Sequence, residues 1–261
     1  MTTFTGELTT RQAEVKDRFV QVRGTWGPAW DAMLRLDPEF LAAYLEFSAV
    51  PLRKQHLDPV VREFIYVAAD AAATHMFTPG TRAHMRAALE LGATEKQLME
   101  VLELTSTLGI HAANIGVPLL LEVMEEQGLR SGAPSLDKQR QQLKEQFTQT
   151  RGYWHSFWDG LLELDPELFE AYTNFSAVPW RTGVLEPWVK ELIYCAFDAA
   201  ATHLYVPGLK VHMHNTLRLG ATPEQVMEVL EIVSVIGIHA AMEAAPVLLE
   251  EASEAGIRDR S

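Results

Sequence analysis

The sequence predicts an all-α protein made of two tandem helical bundles related by internal duplication. Three observations carry this reading: a shift of 128 residues (His75 to His203, for example) superposes one half on the other, apolar residues recur at helical spacing, and alternating β-branched runs are missing. Arg23-Gly24 and Trp26 return as Arg151-Gly152 and Trp154, and Leu36-Asp37-Pro38-Glu39 returns as Leu164-Asp165-Pro166-Glu167. Phe47-Ser48-Ala49-Val50-Pro51 returns as Phe175-Ser176-Ala177-Val178-Pro179. The densest match sets Asp70-Ala71-Ala72-Ala73-Thr74-His75 against Asp198-Ala199-Ala200-Ala201-Thr202-His203, followed by Pro79-Gly80 against Pro207-Gly208. A repeat this long is a domain rather than a solenoid unit. It places a first module at 1–130 and a second at 131–261, with Gly128 to Pro134 as the linker.

Taken in order, Val60 to Thr74 reads as an apolar helix ended by a Pro79-Gly80 turn, and Thr81 to Leu91 as a second helix stopped by Gly92. Thr94-Glu95-Lys96-Gln97 has the form of a capping box and opens a long apolar helix toward Leu108. Thr222-Pro223-Glu224-Gln225 repeats the device with Pro at the first helical position. The pairs Trp26/Trp154 and Trp30/Trp158 read as core or interface anchors.

Composition narrows the function classes. A net charge of -13 argues against nucleic acid, because a phosphate-tracking surface needs clustered Lys and Arg. With 48% hydrophobic and 22% charged residues, the body of the chain has enough apolar surface to fold. Met1 to Asp17 lacks a basic segment leading into an apolar one, and no unbroken run of about 18 apolar residues occurs, so a cytoplasmic protein without a membrane partner is expected. Cys195 is the sole cysteine, lies in an apolar run and corresponds to Val67, which makes it a packing residue and excludes a Cys-x-x-Cys pair.

Nine His are present, and six form register pairs: His75 with His203, His84 with His212, His111 with His239. Glu63, Tyr66, Asp70 and Thr74 share one face of an otherwise apolar helix. A carboxylate there is partly buried, and burial moves its pKa toward values useful in proton transfer. Glu63, His75 and His84, with Glu191, His203 and His212, are therefore the candidate catalytic set. Adding His111 and His239 gives each copy three imidazoles and a carboxylate, a set suited to Zn, Fe, Ni or Cu, although the spacing matches no short metal motif. Asp70 and Asp198 read as hydrogen-bonding struts, and Glu63 and Glu191 could instead pair with Arg53 and Arg181. A non-enzymatic scaffold, in which these groups merely satisfy the core, is the third reading.

Arg62-Glu63-Phe64-Ile65, then small residues, then His84-Met85-Arg86-Ala87-Ala88-Leu89-Glu90-Leu91-Gly92-Ala93-Thr94 resembles the carboxymuconolactone decarboxylase family, which includes the alkylhydroperoxidase D type proteins. The second copy shows the pattern as Lys190-Glu191-Leu192-Ile193 and His212 through Leu219-Gly220-Ala221-Thr222. The resemblance implies tandem alkylhydroperoxidase D-like bundles and a homotrimer with pseudo-sixfold packing. In the alkylhydroperoxidase branch a Cys-x-x-Cys follows the Glu; its positions fall on His75 and Thr78, and on His203 and Val206. Peroxiredoxin-type antioxidant activity is therefore disfavoured, since it needs a thiolate and a resolving thiol. In the decarboxylase branch the Glu and His serve proton transfer on a small lactone carboxylate, and Glu63/His84 and Glu191/His212 match them. His75 and His203 are left to orient or polarise. The resemblance thus implies an acid/base lyase, or related chemistry, on a small-molecule carboxylate or lactone, with no cofactor required; a Glu/His-bound divalent metal is the alternative. His111 and His239 stand where the family commonly has Pro, and no Arg-rich pocket is evident.

Overall fold

Residues 6–131 and 136–257 are described in the computed structural model, and no strand occurs among them. The first copy forms α1 (Thr10–Arg23), α2 (Pro28–Leu36), α3 (Pro38–Ser48), α4 (Val50–Lys54), α5 (Pro59–Ala71), α6 (Thr78–Glu90), α7 (Glu95–Thr105) and α8 (His111–Glu126). A 3-10 turn, Ser106–Ile110, joins α7 to α8. The second copy repeats the series as α9 (Lys138–Arg151), α10 (Phe157–Leu164), α11 (Pro166–Ser176), α12 (Val178–Thr182), α13 (Pro187–Ala199), α14 (Val206–Arg218), α15 (Pro223–Ser234) and α16 (Ile238–Glu254). Of the expected linker, Gly128 takes a left-handed conformation, while residues 132–134 lie outside the described residues.

The repeated sequence signals act as helix punctuation. Asp37 and Asp165 cap α3 and α11, accepting from the Phe40 and Leu168 N–H groups, and Pro follows each at the first helical position. Thr94 and Gln97 form the expected capping box on α7. Three boundaries differ from the sequence reading. Helix α5 stops at Ala71, short of Thr74. Pro79-Gly80 lies inside the first turn of α6, where a missing N–H has no intrahelical partner to lose, so the helix begins at Thr78 instead of Thr81 and His84 sits near its middle. The long helix tightens into the 3-10 turn, and His111 begins α8.

No unbroken run of about 18 apolar residues occurs, but two longer stretches are apolar on average. Glu95–Glu126 and Pro223–Glu254 are each long and apolar enough to cross a membrane, with an 18-residue window holding at most two charged residues. Interspersed Gly, Thr, His and Asn conceal these stretches from a search for unbroken apolar runs.

Two compact units form, and they do not follow the repeat boundary near residue 130: one comprises 1–59 with 224–261, the other 60–223. In the first, α1, α2 and α3 pack together around Phe19, Leu34, Leu41 and Leu45, flanked by Trp26 and Trp30, and α16 of the second copy lies on α2 through Met33, Ile238 and Ala245. In the second, α13 packs on α14 and on α7 of the first copy, while α8 of the first copy packs on α10. The core here gathers Phe147, Trp158, Leu161, Leu162 and Phe169. Each unit therefore mixes helices from both copies. Periodicity marks which residues are apolar, not which copy supplies the surface that covers them.

Candidate functional site

Helix α13 carries the polar groups around which the described site is built. Glu191, Tyr194 and Asp198 share one face at i, i+3 and i+7 and are all buried. On α14, His212 places Nδ1 2.5 Å from Glu191 Oε2, and Asn215 Nδ2 donates to Oε1 at 3.4 Å. The Tyr194 ring stacks on the His212 imidazole at 4.4 Å, fixing its plane. The first copy repeats the arrangement: His84 Nδ1 lies 2.7 Å from Glu63 Oε2, with Tyr66 stacked on His84 at 4.2 Å. The first pair is the more open, with side chains 24% (His84) and 15% (Glu63) exposed against 8% and 1% for His212 and Glu191. Of the two arginines the sequence offered as partners, Arg53 turns to Glu46, and Arg181 is exposed.

The connection from α13 to α14 folds back on itself. His203 and Leu204 N–H groups donate to the Ala200 carbonyl at 2.8 and 3.0 Å, and Tyr205 N–H to the Asp198 carbonyl at 2.9 Å. Leu204 takes φ 52°, a left-handed conformation that costs a branched residue energy and is sustained here by those hydrogen bonds. Gly208 follows because a Cβ there would lie 2.5 Å from Asp198 Oδ2 and 2.5 Å from the Tyr205 ring; at Gly80 it would lie 2.0 Å from Asp70 Oδ2. The Pro-Gly repeat is thus a helix start whose glycine lets a buried Asp approach.

Asp198 is fully buried and neither carboxylate oxygen has a hydrogen-bond partner, so it is not the strut the sequence suggested. Burial raises its pKa to about 7, with the His212 charge opposing and the Glu191 charge adding; burial likewise raises Asp70 to about 7, opposed by His84 and reinforced by Glu63. Facing Asp198 is His111 from α8, whose Nδ1 lies 2.7 Å from His203 Nε2 and 3.6 Å from Asp198 Oδ1. Its ring stacks on Tyr205 at 3.9 Å. Burial, then the neighbouring His203 and His212, lower the His111 pKa to about 3, and burial also lowers His203 and His75.

The expected grouping of Glu63, His75, His84 and His111 within one copy is therefore replaced. Glu63 and His84 meet, and Glu191 and His212 meet, but His111 joins Asp198 and His203 of the second copy because α8 packs on α10. His75 lies in the turn after α5, and His239 in the first turn of α16.

Between the Glu191–His212 pair and the His111 cluster lies a cavity of about 20 Å³, lined by His111, Asn114, Arg151, Tyr194, Tyr205 and His212 among others. Arg151 is the residue the sequence reading missed as a site member. It ends α9, is buried, and donates to the Ser176 carbonyl and Tyr194 hydroxyl at 3.0 and 3.1 Å rather than to a carboxylate; its Nε is buried without a partner. The guanidinium lies 4.9 Å from the Trp180 ring centre. The signal was the repeated Arg-Gly pair, in which Gly152, at φ 74°, ends the helix and leaves Arg151 as its last residue. Cys195 is fully buried, with burial pushing its thiol pKa up, as a packing residue requires.

Residues 38–114 and 166–250 match the Carboxymuconolactone decarboxylase family. A crystal structure of a "putative gamma-carboxymuconolactone decarboxylase subunit" from Burkholderia xenovorans LB400 is 58% identical, with a TM-score of 0.91 over 94% of this chain and 98% of that one. No curated protein matches the chain. With one match in each copy, on a helical fold shared with that structure, the chain belongs to the carboxymuconolactone decarboxylase family as a tandem two-module member without a Cys-x-x-Cys pair.

Proposed function

We propose that this chain is a lyase that decarboxylates a small lactone carboxylate by general acid/base chemistry, with γ-carboxymuconolactone as the first substrate to test. The observation that carries the reading is the recurrence, in both copies, of a Glu–His contact at 2.7 and 2.5 Å with a Tyr stacked on the imidazole. Loss of CO2 leaves an electron pair on the carbon that bore the carboxylate. A conjugated lactone carbonyl accepts that pair, and a proton delivered to carbon completes the reaction. Glu191 holds Nδ1–H of His212 and leaves Nε2 free to carry that proton; Glu63 does the same for His84. Arg151, a buried cation whose partners are neutral oxygens, supports the choice of a carboxylate substrate. The matched family and the named relative point to the same chemistry.

The experiment follows CO2 release and loss of lactone absorbance with purified chain and γ-carboxymuconolactone, alongside other small lactone carboxylates. Turnover that is lost in a Glu63→Gln, Glu191→Gln double variant supports the reading. Turnover of none of these compounds overturns it.

We further propose that the chain acts as a homotrimer. Helix α8 exposes Ile115, Leu119 and Val123 at i, i+4 and i+8, and α16 exposes Val247 and Leu248, a pattern suited to covering by other subunits. Light scattering should give about three times the 29.2 kDa of one chain, and a monomer at micromolar concentration would refute it.

A further inference from the structure

We propose that His111 Nδ1, His203 Nε2 and a carboxylate oxygen of Asp198 bind a divalent first-row transition-metal ion. These three donor atoms lie within 4.8 Å of one another, two of the separations being 2.7 and 3.6 Å. Ligand atoms bonded at about 2.0–2.1 Å to one ion stand roughly 3 Å apart, so small side-chain adjustments close the set around a metal. A proton shared between the imidazoles accounts for the 2.7 Å contact but not for Asp198. That carboxylate is fully buried, with both oxygens lacking hydrogen-bond donors, and 3.6 Å is too long for a hydrogen bond from His111. A cation supplies the missing partner.

Two imidazoles and one carboxylate, with no thiolate, select Zn2+, Fe2+ or Co2+ over Mg2+ and Ca2+, which prefer oxygen cages. The site also differs from the family-derived Glu–His pair. It uses Asp198 in place of Glu191 and His212, and it draws on both copies of the repeat. Its existence does not depend on the decarboxylase reading.

The test uses full-length chain without a His-tag, stripped with chelator and titrated with Co2+, reading both the visible absorption of the bound ion and the bound metal per chain by equilibrium dialysis. Asp70, His75 and His239 repeat the same residue types 128 positions away, so the readout is the change in count on substitution. His111→Gln, His203→Gln and Asp198→Asn should each lose one equivalent per chain and the corresponding absorption. His214→Gln, at an exposed His, should keep both. His203 is only half-buried, so its variant keeps the fold, which circular dichroism checks. Wild-type chain that binds no Co2+, or His111→Gln and His203→Gln variants that retain the full count and spectrum, would overturn the proposal.

Discussion

Asp198, Glu191 and Glu100 are buried carboxylates with different partners, and the partners set their roles. Glu191 is held by an imidazole, Glu100 by an ammonium and backbone amides, and Asp198 by no hydrogen bond at all. The Glu–His pairs were legible in the sequence because both members recur in register and lie on neighbouring helices. The partner of His111 was not, because nothing in a repeat says whether a helix packs on its own copy. Asp198 looked like a strut, since a polar residue on an apolar helix is usually hydrogen-bonded. Arg151 looked like the end of a helix, which it also is. If Arg151 holds a substrate carboxylate, Arg151→Lys keeps the charge but loses the planar fork. A lost charge-assisted hydrogen bond of about 1.5–3 kcal/mol corresponds to a roughly ten- to hundredfold rise in KM, with kcat changed less. Steady-state kinetics check this; a wild-type KM would remove Arg151 from substrate binding.

At the scale of elements, the helix order and caps were legible, whereas the exchange of α7 and α8 between copies was not. One residue pins that exchange. Glu100 on α7 accepts from the Leu185 and Val184 N–H groups at 2.9 and 3.1 Å, from the Thr182 hydroxyl at 2.7 Å, and from Lys190 Nζ at 2.8 Å, with Glu100 and Lys190 each only 2% exposed. In the other unit Glu228 on α15 receives the His56 and Leu57 N–H groups at 2.5 and 3.0 Å. Burial works to raise the Glu100 pKa, but the contacts from Lys190, Thr182 and the two amides outweigh it and leave the carboxyl below its ordinary value. A folded pKa below the unfolded one stabilises the chain above the ordinary carboxylate range, about 4.3, and that contribution fades as pH falls through the folded value. Glu100→Gln removes the counter-charge of the buried Lys190 ammonium, which keeps the Pro179 carbonyl as an acceptor, and should cost roughly 3–5 kcal/mol at pH 7. Urea unfolding between pH 7 and 3 should show wild type and variant converging at the acid end; a constant difference would contradict the assignment.

For the whole molecule, the fold class was legible from the duplication and the family from the pattern that runs from Glu63 through His84 to Thr94, and the division into compact units was not. The duplication divides the chain near residue 130, but the packing divides it into 1–59 with 224–261 and 60–223. A chain ending at residue 130 would therefore leave α7 and α8 without α13 and α10. It should fail to give a cooperative thermal transition as a monomer, which circular dichroism at low concentration would show. A stable monomeric half would mean that each copy can close its own core.

The central claim is that proton transfer resides in Glu63–His84 and Glu191–His212. The most direct measurement compares lactone decarboxylation by Glu63→Gln, Glu191→Gln and the double variant. Each single variant should keep the turnover of its intact site, while the double variant loses about 10²- to 10⁴-fold, the usual contribution of a positioned acid or base. A folded double variant retaining wild-type turnover would contradict the account.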